Sequence, residues 1–175
     1  MNKGILLVLS GYLMWGCFPL YWALLNHVNP SEVLIHRMLW AVPVLFFLVH
    51  FKSSWKNNFK ASISSKKELV FLFITAILIT INWGGYIYAV NLGRVVEASM
   101  GYFLSPVINM IGGYIFFQER ISKLKQLAVF LATVGALYYV FSGDSFPWLG
   151  FLVGFTFSAY GIARKAMASS AVPGL

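Results

Sequence analysis

The sequence is poor in charge. Of 175 residues, 10% are charged and 59% are hydrophobic, whereas soluble domains average about 25% charged. That balance excludes an ordinary soluble domain and marks a polytopic membrane protein; the mean hydropathy of +0.77 agrees. Acidic residues are the scarcest charged class, five in all, and none lies in mid-span. The buried carboxylate of a simple proton relay is therefore missing, and any ion coupling would rest on Glu32, His36 or Glu97, or on residues outside this sequence. Cysteine occurs once, as Cys17 in an apolar stretch, so no intrachain disulfide can form and packing is the expected role. The three histidines are scattered. No H-E-x-x-H, P-loop, G-x-S-x-G or cysteine pair is present, so neither an enzyme nor a metal or cofactor site is expected. No small-residue cleavage site follows the first apolar run, which reads as an uncleaved first helix.

What the chain has is apolar runs. Six spans can be marked: 4–25, 33–51, 69–90, 98–117, 127–142 and 148–163. The last two are short for a bilayer core of about 30 Å and need flanking residues. Continuous runs rather than alternation favour helices over a barrel, so the expected fold class is all-α, a transmembrane helical bundle. Pro19, Pro43 and Pro106 fall inside spans. The Lys/Ser/Asn-rich stretch from Lys52 to Glu68, which contains Trp55, reads as a solvated connection, and the other loops are short.

The basic residues are ordered. Eleven of the thirteen Lys and Arg fall on one side of a six-span chain, before the first span and after the second, fourth and sixth. Arg94 stands alone on the other side and Arg37 lies inside the second span. The positive-inside rule then places the N-terminus in the cytoplasm. The net charge of +8 is thus a topology signal, and no nucleic-acid partner is expected.

The most patterned span is the fourth. Gly101, Ser105, Asn109 and Gly113 recur every four residues, a small-residue stripe that lets another helix approach closely. Pro106 frees a carbonyl one turn back, and Tyr102 and Asn109 bring polar groups to membrane depth. Glu97 and Ser99 open this span, with a carboxylate at the positive end of the helix dipole, as a cap or as part of a pathway. In the third span Asn82 and Tyr86 share a side with Trp83. They either bond to a neighbouring helix or line a polar route. Gly84 and Gly85 permit close approach there. The second span opens with Glu32, His36 and Arg37. Arg37 either snorkels to headgroups or faces a cavity, paired with Glu32 or Glu97. Trp22 and Trp148 are expected as interface anchors.

Two further patterns bear on organisation. A shift of 145 residues lays Tyr12, Trp15 and Gly16 on Phe157, Tyr160 and Gly161. Span six would then begin an inverted copy of a five-helix repeat. The segments EVLIHRMLW (32–40), NWGGYIYAVN (82–91), EASMGYFLSPVINMIGGYIFFQER (97–120) and AYGIARK (159–165) together resemble the RarD-type permeases of the EamA group in the drug/metabolite transporter superfamily. The resemblance runs through essentially the whole chain. It implies ten helices in two inverted repeats and a bacterial inner-membrane permease for small organic solutes, linked in the family to chloramphenicol sensitivity or resistance. Residues 1–142 would form the first repeat and 143–175 the start of the second. The pathway candidates it implies are Asn82, Trp83, Tyr86, Glu97, Ser99, Tyr102 and Asn109, with His36 and Arg37; Gly101, Ser105, Pro106 and Gly113 serve helix packing. The expected partners are membrane lipids and a small-molecule solute. At this length the chain reads as a fragment, and half a cavity alternates access only if two chains pair as a homodimer. The alternative expectation is a truncated membrane partner that only associates with other helices.

Overall fold

The computed structural model describes residues 3–51, 65–143 and 145–167. Most of the expected solvated connection after the second span, Trp55 included, lies outside the described residues, as does the segment after Met167. The described chain folds into six helices: α1 (Lys3–Leu24), α2 (Pro30–Phe51), α3 (Lys66–Asn91), α4 (Val95–Phe117), α5 (Lys123–Ser142) and α6 (Trp148–Ala166). No strand occurs among the described residues.

Local chemistry sets the helix ends, and most helices start earlier than their apolar runs. Pro30 occupies the first position of α2, where its fixed φ and missing N–H cost nothing. Asn29 stands before it and accepts the Ser31 N–H at 2.9 Å. Ser65 caps α3 by accepting the Glu68 N–H, and Ser122 caps α5 by accepting the Lys125 N–H. These caps draw Lys66, Lys67, Lys123 and Lys125 into helices, which lengthens the short fifth span to 20 residues. The turn between α3 and α4 requires Gly93, whose φ is +72°. At the far end of α4, Gln118 takes φ 53° and the Glu119 N–H returns to the Gly113 carbonyl at 3.2 Å. This left-handed hook aims the chain back toward α6.

Five of the six helices are long and apolar enough to cross a membrane; α6 is not among them. It is 19 residues long and carries Gly150, Gly154, Gly161, Thr156, Ser158, Arg164 and Lys165. Its position explains the difference. α6 packs most extensively on α4 and next on α3, and Leu149, Val153 and Ser158 have no exposed surface. A helix surrounded by protein need not be as apolar as one facing lipid. The outer helices α1, α2 and α5 instead present large apolar side chains such as Leu7, Leu13, Phe46 and Phe141 outward. Cys17 is among these outward residues.

The stripe of α4 meets its partner inside this chain. Gly101 lies against the backbone of Gly150 and Gly154. Ser105 Oγ donates to the carbonyl of Gly101 or Gly154 (3.2 and 3.4 Å), and Ser158 Oγ donates to the Ser105 carbonyl at 3.3 Å. Asn109 still reaches α6, its Oδ1 3.5 Å from where a Cβ on Gly161 would stand, and only the last member of the stripe departs from expectation. Gly112, not Gly113, meets Ile162 of α6, while Gly113 faces the Glu119 carboxylate of the hook. Asn109 and Pro106 are exposed. Gly84 faces Leu34 of α2 and Gly85 faces Leu152 of α6, so the glycine pair in α3 serves close approach on two sides.

Candidate functional site

Three helix counts place one cluster at one depth. Arg37 is seven residues from the start of α2, Trp83 eight from the end of α3, and Tyr102 seven from the start of α4. At about 1.5 Å per residue each lies about 10–12 Å inside the end of the bundle that carries few basic residues. The Arg37 guanidinium carbon sits 3.7 Å from the centre of the Trp83 ring and 5.7 Å from that of Trp22. That is cation–π geometry. The Tyr86 and Tyr102 rings approach to 5.8 Å, and Tyr102 meets Phe157 of α6 edge-on at 5.4 Å. The result is a wall of aromatic rings from four helices with a single cation upon it.

Asn82 ties this wall to the core. It is fully buried. Its amide donates to the Val153 carbonyl at 2.8 Å and lies 3.2 Å from Thr156 Oγ1, and its oxygen accepts the Tyr102 hydroxyl at 3.4 Å. One amide thus bridges α3, α4 and α6. Among the alternatives open for Asn82, the geometry is that of an inter-helix tie, while Trp83, Tyr86 and Tyr102 are the half-buried groups around it.

Glu97 belongs to a second cluster. Its carboxylate is 2.5 Å from the Arg94 guanidinium. Its other oxygen accepts the Leu149 N–H at 2.8 Å. Pro147, in the N-cap position of α6, offers no side-chain cap, so Glu97 supplies the cap from a neighbouring helix, at the positive end of the α6 dipole. The expected pairing of Arg37 with Glu97 is therefore corrected: Arg94 holds Glu97. Arg37 does not pair with Glu32 either. Glu32 and His36 are exposed on the outside of α2, because adjacent helical positions point about 100° apart. Ser99 is half-buried on α4 and joins neither cluster.

Asn109 opens on a third feature at the basic end. A cleft of about 460 Å³ between α4, α5 and α6 is lined by Pro106, Asn109, Gly113 and Gly161, with Lys125 and Lys165 among its charged residues. Lys165 donates to Glu119 across its mouth. This contact holds the Glu119 carboxyl below the usual carboxylate range. The stabilisation is present above that range and lost as pH falls through the lowered value. Both groups are exposed, so it is weak. A smaller cleft of about 320 Å³ opens beside Arg94 and Glu97. No metal-competent group of His, Cys, Asp or Glu occurs among the described residues.

Sequence reasoning missed Arg94, Gly150, Gly154, Thr156 and Ser158. The signal was present for the α6 residues: Gly150, Gly154 and Ser158 repeat the four-residue spacing of α4. For Arg94 the signal is its spacing, one helical turn before Glu97.

Residues 2–141 match the EamA-like transporter family. The chain is 35% identical over 99% of its length to an uncharacterized transporter, YojE, of Bacillus subtilis. It is 35% identical to Protein RarD of Escherichia coli, again over 99% of its length. It is 29% identical over 99% of its length to the Chloramphenicol-sensitive protein RarD of Pseudomonas aeruginosa. It spans 59%, 58% and 59% of those three proteins. No solved structure matches significantly. This chain is a multi-pass membrane protein and belongs to the EamA-like transporter family, which is a family of transporters and not an enzyme class.

Proposed function

We propose that this chain is the N-terminal part of an inner-membrane permease that moves a small organic solute or drug. Residues 1–142 form a first repeat, and α6 opens an inverted second one; alternating access arises as the two repeats rock around a site between them. The N-terminus lies in the cytoplasm. The observation that carries this reading is the convergence of Arg37, Trp83, Tyr86 and Tyr102, within about one helical turn of one depth, on three packed helices in a chain of transporter lineage. Polar and cationic groups at membrane depth are costly and mark pathways. The packing of α6 into α3 and α4 also suits the plan, since it joins the start of the second repeat to the first. Chloramphenicol is the first solute to test, given the name of the Pseudomonas relative.

The test is flux into proteoliposomes carrying the full-length gene product, under proton and sodium gradients. Tyr102→Ala removes the ring between Tyr86 and Phe157 and the hydroxyl on Asn82. A ring and hydroxyl that also touch the solute would contribute about 1.4 kcal/mol there, or about tenfold in rate. Flux should fall by about that factor while the melting temperature in micelles stays within a few degrees. If the full-length protein moves no solute under any gradient, the permease reading fails and the associating membrane partner replaces it.

Orientation has its own test. In a Cys17→Ala background, single cysteines replace Asn26 and Lys123, which lie at opposite ends of the bundle. An impermeant maleimide on intact cells should label position 26 and leave position 123 untouched until the cells are opened. The reverse pattern would invert the proposed topology.

A further inference from the structure

Arg37 is a cation at membrane depth whose neutralising partner is not among the described residues. Of the carboxylates among the described residues, Glu97 is held by Arg94 and Glu119 by Lys165. Glu32 is exposed on the outside of α2. Glu68 stands fifteen residues before Trp83 on α3, about 22 Å away along the helix. Snorkelling does not account for the arginine either. A snorkelling side chain would extend toward the near end of the bundle. Instead the guanidinium lies 3.7 Å over Trp83, at that residue's own depth. Stacked face-on against an indole, a guanidinium keeps its N–H edge free, and that edge matches a carboxylate with two parallel hydrogen bonds. The surroundings select further. Trp22, Trp83, Tyr86 and Tyr102 present ring faces and phenol hydroxyls, with no acid among them.

We propose that Arg37 and the aromatic wall around it form the binding site for a small organic anion carrying a planar ring, an aromatic carboxylate, with the carboxylate on Arg37 and the ring against the wall. This deepens the permease reading and rests on it for the site's role, but binding can be measured without transport.

The probes are indole-3-acetate, benzoate and their uncharged amides, titrated calorimetrically against the full-length protein in nanodiscs. Each carboxylate should bind at least about tenfold more tightly than its amide. Arg37→Gln should erase that preference by weakening the acids far more than the amides. Arg37→Lys, which keeps charge but loses the planar fork, should restore part of it. Equal affinity of acid and amide for the unaltered protein overturns the proposal; that is the result expected if a carboxylate elsewhere in the full-length chain already neutralises Arg37. Failure of both acids to bind overturns it too, as does an Arg37→Gln protein that keeps its acid preference. If that variant does not fold, the acid-to-amide comparison on the unaltered protein decides alone. Flux separates the two readings. Acid-selective binding with no flux of any probe leaves the anion site and removes the permease. Flux of the amides without acid preference does the reverse.

Discussion

Replacing Gly101 with alanine is expected to force α4 and α6 apart and to destabilise the bundle by about 3 kcal/mol, the upper end for overpacking. A Cβ on Gly101 would meet the carbonyl of Gly150 and the N–H of Gly154, all backbone. No rotamer change relieves such a clash; the two helices themselves must move. The same holds from the other side, where a Cβ on Gly154 would meet the Gly101 carbonyl and one on Gly150 the Glu97 carbonyl. Three glycines in mutual contact set how close the helices come, and that closeness lets Ser105 and Ser158 reach across. Gly135 is the control. It sits on α5 with nothing near its added Cβ, so Gly135→Ala should be neutral or gain up to about 1 kcal/mol of helix propensity. Melting temperatures in mild detergent, read with monodispersity, compare the two. If Gly101→Ala and Gly135→Ala behave alike, the α4–α6 crossing is not as close as described.

The same crossing shows what could be read beforehand. Apolar run length and the one-sided distribution of Lys and Arg lead to six helices, because a helix must satisfy its backbone alone in lipid and its span must match the bilayer. The period of small residues in α4 marks a close helix contact, since only small side chains permit one. What neither could supply was the partner. A stripe on one helix does not say which other helix meets it, although α6 carries the matching Gly150, Gly154 and Ser158. Ion pairing was illegible for a related reason. Arg37 and Arg94 are both candidates for Glu97 by type. The choice depends on a turn: Gly93 at φ +72° brings Arg94 to the start of α4, one helical turn before Glu97. Asn82 was ambiguous because an amide serves a tie and a pathway equally well, and only its distance to Val153 separates them.

Glu97→Ala is expected to carry the second large effect, and its size follows from three losses at one residue. The carboxylate is buried, its partner Arg94 is about one-third exposed, and the Leu149 N–H depends on it. Removing one member of a fully buried pair costs about 3–5 kcal/mol. Solvent reaching Arg94 reduces that here to about 2–3 kcal/mol. Glu97→Gln separates the components. Its amide oxygen can still accept from Leu149 and so keeps the cap of α6, while the charge opposite Arg94 is gone. A cap is worth about 1 kcal/mol, so the Gln variant should recover about that much over Ala. Arg94→Leu combined with Glu97→Gln should then cost less than the sum of its parts, since no unpaired charge is left behind. The measurement is a double-mutant cycle of melting temperatures in micelles. Strict additivity would mean that the pair is not coupled. An Ala variant as stable as the parent would mean that α6 does not begin against Glu97, and with it would go the placement of α6 in the centre of the bundle, on which the depth of Phe157 and the tie from Asn82 to Val153 both depend.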